Sequence, residues 1–124
     1  MKTSIAMLAL VSAVLALNAW AGPAEEVSQI AGPRLKALQE GNADSYTADF
    51  ADNAVFYSSF SPFRIEGKEA IRAFFADLFQ QYPKRRTFIR QPLVRVYGDN
   101  LVVQNGYAVL NWVDEEEDAE TYNI

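Results

Sequence analysis

The chain has 124 residues, half of them hydrophobic, with a net charge of −5 and neither cysteine nor histidine. Without cysteine there are no disulfides, thiol nucleophiles or thiolate metal sites; without histidine the commonest general base and any Ser/His/Asp triad are excluded. An acidic chain of this length holds one domain and suits neither nucleic acid nor an anionic membrane, whose phosphates require clustered cations.

Residues 1–21 read as a cleavable signal peptide. Lys2 gives a charged start, residues 5–17 (IAMLALVSAVLAL) form an apolar run, and Ala19-Trp20-Ala21 supplies the small-x-small pattern of a cleavage site. The run falls short of the roughly 20 residues that a helix needs to span a bilayer. Cleavage is expected after Ala21, leaving residues 22–124 as one periplasmic or secreted domain with no stable membrane insertion. Lys2 is the only charged residue before Gly22, so the mature chain is more acidic by one charge.

Residues 22–40 are helical in character, with Val27, Ile30, Arg34, Leu35 and Leu38 approximating one face and Glu25 and Glu26 suiting the helix start. Gly32-Pro33 predicts a kink or two helical pieces, because an internal proline removes a hydrogen bond and crowds the preceding turn. Gly41-Asn42 stops the helix, and residues 43–50 make a second, short one. Residues 54–60 predict a strand with Phe56, Ser58 and Phe60 on one face, followed by a loop over 61–67. Residues 68–82 form the clearest helix: Ile71, Phe74, Phe75, Leu78 and Phe79 follow the i, i+3, i+4, i+7, i+8 rule, and Pro83 ends it. Residues 86–97 and 101–114 predict two long strands, paired as a hairpin across Gly98-Asp99-Asn100, with Pro92 marking a bulge or an edge. Residues 114–120 (DEEEDAE) read as a solvated loop, and residues 121–124 begin another strand at which the sequence stops. The chain therefore reads as C-terminally incomplete.

The stretches GNADSYTADFADNAVFY, RIEGKEAIRAFF and VYGDNLVVQNGYAVLNW, in this order and spacing, resemble the nuclear transport factor 2-like superfamily. The closest flavour is its SnoaL-like and calmodulin-dependent kinase II association-domain-like members. The resemblance covers residues 27–124 and implies an α+β fold: a cone-shaped, curved antiparallel sheet packed against N-terminal helices and one long helix, with the last strands missing. It also implies a small-molecule pocket and a homodimer. Steroid isomerases of the superfamily align over residues 50–75 without a gap. Their general-base aspartate falls on Ser58 and their oxyanion-hole tyrosine on Arg34. Serine cannot take a proton from carbon and arginine stays protonated, so that reaction is not expected here.

Pocket-lining candidates are Arg34, Phe56, Ser58, Phe60, Phe74, Phe75, Tyr107 and Trp112, although the odd spacing of Tyr107 and Trp112 places them on opposite strand faces. Each aromatic is equally a core-filling residue. Arg34 is either a clamp for an acidic ligand or a side chain reaching solvent beside Pro33. Arg64 is read as a solvated loop residue. Lys84, Arg85, Arg86, Arg90 and Arg95 form the one basic cluster, either an anion site or a solvated or dimer-rim face. Residues 114–118 lack the calcium-loop pattern, and no phosphate loop, metal-ligand spacing or cofactor motif is present.

Strand 101–114 is apolar on both faces: Leu101, Val103, Tyr107, Val109 and Val113 on one, Val102, Ala108, Leu110 and Trp112 on the other. Helices can cover one face, and a second copy is expected on the other. The expected function is an exported domain that binds a small apolar or weakly acidic molecule, or an association module, with no catalytic constellation. The alternative is a SnoaL-like lyase, isomerase or hydrolase in which Tyr57, Ser58, Asn111 and Arg34 orient substrate.

Overall fold

The computed structural model describes residues 22–114 and, for the backbone, 119–123. The expected signal peptide and its cleavage site, residues 115–118 of the acidic loop, and Ile124 lie outside the described residues. Among the described residues, three helices and five strands follow in the order α1 (Pro23–Glu40), α2 (Ala43–Thr47), β1 (Val55–Phe56), β2 (Ile65–Glu66), α3 (Lys68–Gln81), β3 (Lys84–Tyr97), β4 (Leu101–Val113) and β5 (Ala119–Asn123). The fold is α+β with antiparallel pairing throughout.

Helix α1 opens with Pro23 in its first turn and Glu25 and Glu26 close behind, where a proline lacks no needed donor and acids meet the positive end of the dipole. It closes at Gly41, whose left-handed φ of 74° returns backbone N–H groups to the last carbonyls. Of the two alternatives expected at Gly32-Pro33, a kink or two helical pieces, the second does not occur: α1 is one helix with Pro33 inside it. Pro33 and Gln29 are both exposed, so water can reach the carbonyl that Pro33 leaves without a donor. Helix α2 starts on Asn42, whose side chain accepts the Ser45 N–H at 2.9 Å. It ends three residues earlier than expected, where Phe50 N–H bonds the Thr47 carbonyl at 3.0 Å.

The expected strand over 54–60 shrinks to β1. Ser58 is the cause, because its hydroxyl accepts the Phe60 N–H at 3.1 Å and its carbonyl accepts the Ser61 N–H at 3.2 Å. A serine that bonds its own neighbours offers the backbone a turn instead of a ladder. The expected loop contains β2, which pairs with β1 through Val55↔Glu66 and Phe56↔Ile65. Helix α3 agrees with its periodicity: Ile71, Phe75, Leu78 and Phe79 are buried, and Phe74 is half-buried.

Strands β3 and β4 form the long hairpin, and β4 is central in the order β3-β4-β5. Both readings of Pro92 hold. It lies on an edge strand, and the register shifts between Arg90↔Tyr107 and Leu93↔Asn105, so that Gln91 and Pro92 face Gly106 alone. Gln91 takes φ 48° there. Gly106 is required by close approach, since a Cβ would lie 3.1 Å from the Arg90 carbonyl oxygen and 3.2 Å from Pro92 Cα.

The core lies between the helices and one face of the sheet, built from Leu38, Ala43, Ile71, Phe75, Leu78, Phe79, Leu110 and Trp112. Arg85 ties the ends of two helices into it. Its Nε donates to the Leu38 carbonyl at 3.2 Å, its Nη1 donates to the Phe79 carbonyl at 2.8 Å and to that of Tyr82, and its guanidinium lies 4.8 Å over the Phe79 ring. Neither α1 nor α3 carries a basic residue in its last turn, so Arg85 supplies from β3 the cation that their C-termini favour. Burial pulls the Arg85 pKa below its ordinary value. Arg85 thus leaves the expected basic cluster and becomes a structural clamp.

Candidate functional site

Inner-face residues of the hairpin, the turn after β1 and the apolar side of α3 leave a cavity of about 440 Å³ between them. Leu38 comes from α1, Tyr46 from α2, and Phe56, Tyr57, Ser58, Ser59 and Phe60 from β1 and its turn. Phe75 and Leu78 come from α3, Thr87 and Ile89 from β3, and Ala108, Leu110 and Trp112 from β4. The hairpin register explains the last group, because Thr87↔Leu110 and Ile89↔Ala108 are directly opposite and so share a face with Trp112.

The wall is largely aromatic. Phe60 stacks on Trp112 at 5.6 Å with planes 15° apart, Phe56 sits 5.1 Å from Phe75, and Tyr46 lies 4.3 Å from Phe75. Polar groups are few and nearly all hydroxyls. Trp112 Nε1–H donates to Thr87 Oγ1 at 3.2 Å, and Gln39 Nε2 donates to the Thr87 carbonyl at 3.2 Å. Burial pushes the Tyr46 phenol above its usual pKa, and the nearby Arg34 charge offsets part of that rise. Among the described lining residues there is no carboxylate and no amine, so the wall can hold and orient a ligand by hydrogen bonds.

Phe56, Ser58, Phe60, Phe75 and Trp112 meet at this cavity. They do so through the turn at Ser58, which also brings Tyr57 and Ser59 to the wall. Phe74, one position round α3, instead contacts Phe56 at 6.2 Å and Phe75 at 5.4 Å from outside the lining. Tyr107 is 62% exposed on the opposite face of β4, as its parity requires, and borders a groove at the Pro92 bulge with Arg95 and Asn105. Asn111 shares that outer face and is exposed.

Arg34 neither enters the cavity nor stands free. Its guanidinium lies 5.1 Å over Phe50, with Nη2 3.6 Å from Asp49, and its buried Nε has no hydrogen-bond partner. The residues just after the short α2, Asp49 and Phe50, thus supply the partners that Arg34 takes. Arg64 pairs with Glu66 on the surface. Sequence reasoning missed Tyr46 and Thr87. Thr87 was within reach, since carrying the hairpin pairing past the Pro92 bulge places it beside Leu110. Tyr46 carried no signal beyond its position on a short helix. Among the described residues, no group of three His, Cys, Asp or Glu is placed to hold a metal ion, and no helix is long and apolar enough to cross a membrane.

The sequence profile of the SnoaL-like domain matches residues 34–116. A nuclear transport factor 2-like superfamily protein from Salmonella enterica superposes with a TM-score of 0.70 at 15% identity, covering 80% of this chain and 72% of that one. The CaMKII hub of S. rosetta gives 0.64 at 26% identity, covering 83% and 78%. A protein from Catenulispora acidiphila in complex with S-DNPA gives 0.62 at 22% identity, covering 79% and 74%. No curated protein matches the sequence significantly.

Proposed function

Because the chain belongs to the SnoaL-like domain family, we propose that it is an exported small-molecule-binding domain whose ligand occupies the cavity between α3 and the sheet. The observation that carries this reading is an aromatic-walled void of about 440 Å³ beside a closely packed core. Sites for small molecules are of this kind, mostly apolar with a few placed polar groups and roughly 300–1,000 Å³ in volume. A small apolar or weakly acidic molecule fits that lining. The solved complex of a structural neighbour with S-DNPA supports the same use of the fold.

The test is to purify the protein from its host and identify co-purifying small molecules by mass spectrometry. An Ala108→Phe variant, which places a ring in the lumen, serves as the control. A bound molecule that the variant loses supports the reading; identical extracts from both forms contradict it. Export is supported by the pattern of residues 2–21. N-terminal sequencing of the host protein is expected to begin at Gly22, and an intact Met1 would refute export.

A homodimer is the second part of the proposal. Phe88, Leu93, Tyr97, Leu101, Val103 and Tyr107 share the outer face of the hairpin and are each at least 40% exposed. A second copy covering them would remove this apolar surface from water, and the likeness to a CaMKII hub points the same way. An enzymatic alternative, a lyase, isomerase or hydrolase, draws support from Tyr46: a protonated phenol at the wall, with the Arg34 charge nearby, would steady charge on a carbonyl oxygen. Turnover of the recovered ligand would establish it.

A further inference from the structure

The cavity's hydroxyls accept from neighbouring N–H groups and leave their own hydrogens available. Thr87 is 2% exposed, and its Oγ1 accepts the Trp112 Nε1–H at 3.2 Å. An indole N–H only donates, so this bond uses a lone pair of Thr87 and leaves its hydroxyl hydrogen unspent. Ser58 repeats the arrangement, accepting the Phe60 N–H at 3.1 Å and keeping its own O–H. The Thr87 carbonyl, for its part, takes the Gln39 amide at 3.2 Å. Tyr46 adds a phenol O–H to the same wall. No carboxylate among the described lining residues balances these donors.

Building on the reading of this cavity as the ligand site, we propose that it selects molecules carrying a hydrogen-bond acceptor, a carbonyl or carboxylate oxygen on an apolar skeleton, with Thr87 as the specificity-determining donor and Ser58 and Tyr46 beside it. A ligand oxygen accepts what the wall offers. A purely apolar ligand leaves the buried Thr87 hydrogen unpaired, and an ammonium group brings a charge into a wall that has no carboxylate among its described lining residues to receive it.

Three probes of one skeleton test the idea by calorimetric titration: 1-tetralone, tetralin and 1-aminotetralin. The ketone is expected to bind about fivefold or more tightly than the hydrocarbon, the gain of one net hydrogen bond, and the ammonium form most weakly. Thr87→Val should lower tetralone affinity to the tetralin level without changing tetralin, and Thr87→Ser should restore the preference. Since Thr87→Val also strips Trp112 of its acceptor, Tyr46→Phe and Ser58→Ala provide parallel variants, each expected to narrow the ketone preference. Equal binding of ketone and hydrocarbon to the wild type would overturn acceptor selection and leave the ligand cavity standing. Failure of all three probes to bind would count against the cavity reading itself, and this inference would fall with it. A folded Thr87→Val variant that keeps the full ketone preference would remove Thr87 from the role.

Discussion

Tyr46 is the residue at which packing and electrostatics meet. Its ring lies among Phe50, Phe75 and Phe79, with centroids 5.9, 4.3 and 6.4 Å away. Burial raises its pKa above the ordinary 10.0, so the folded state favours the protonated phenol. The corresponding stability is fully present below about pH 10 and is lost as pH rises through the folded pKa. Denaturant titrations at increasing alkaline pH should therefore show a decline that Tyr46→Phe reduces. Arg34→Met removes the offsetting cation, so the Tyr46 ionisation should move to higher pH in that variant; a downward move would contradict the assigned pairing. Gly106 is the second residue with a sharp expectation. A methyl group there meets two carbonyl oxygens and Pro92 across the bulge, at 3.1 to 3.3 Å, and Gly106→Ala should destabilise by about 1–3 kcal/mol in chemical denaturation.

Among the elements, α1 and the Arg85 clamp make separate predictions. Pro33 lies exposed inside a continuous helix, so Pro33→Ala restores a backbone donor without disturbing packing. After allowing for the stiffness proline gives the unfolded chain, stability should rise by roughly 2 kcal/mol. Arg85→Met keeps the stem but removes the guanidinium's hydrogen bonds to the carbonyls of Leu38, Phe79 and Tyr82, with an expected loss of about 2–3 kcal/mol. Arg85→Lys should recover only part, because one ammonium cannot reproduce the planar spread of Nε and Nη1. These elements also show what the sequence could and could not reveal. The spacing of Ile71, Phe75, Leu78 and Phe79 announces α3, and Pro92 announces the bulge, because each depends on local geometry. The strand expected over 54–60 fails, since its β-forming residues are overruled by one hydroxyl on Ser58. Arg85 was indistinguishable from its basic neighbours, because its task is set by two helix ends distant in sequence.

At the scale of the whole molecule, β4 divides two environments. Its inner face supplies Leu110 and Trp112 to the core, and its outer face leaves Leu101, Val103 and Tyr107 open. If a second copy covers that outer face, Val103→Asp should shift sedimentation equilibrium from dimer to monomer while far-ultraviolet circular dichroism is unchanged. An unchanged mass would place the interface elsewhere. The inner face carries the functional claim, with Ala108, Leu110, Thr87 and Trp112 forming the sheet side of the cavity. The most direct test is calorimetric titration of 1-tetralone into the wild type and into Ala108→Phe, with thermal unfolding confirming that both are folded. Saturable one-site binding to the wild type and its loss in the filled variant is the predicted result; equal binding to the two, or none to the wild type, would contradict a ligand site in this cavity.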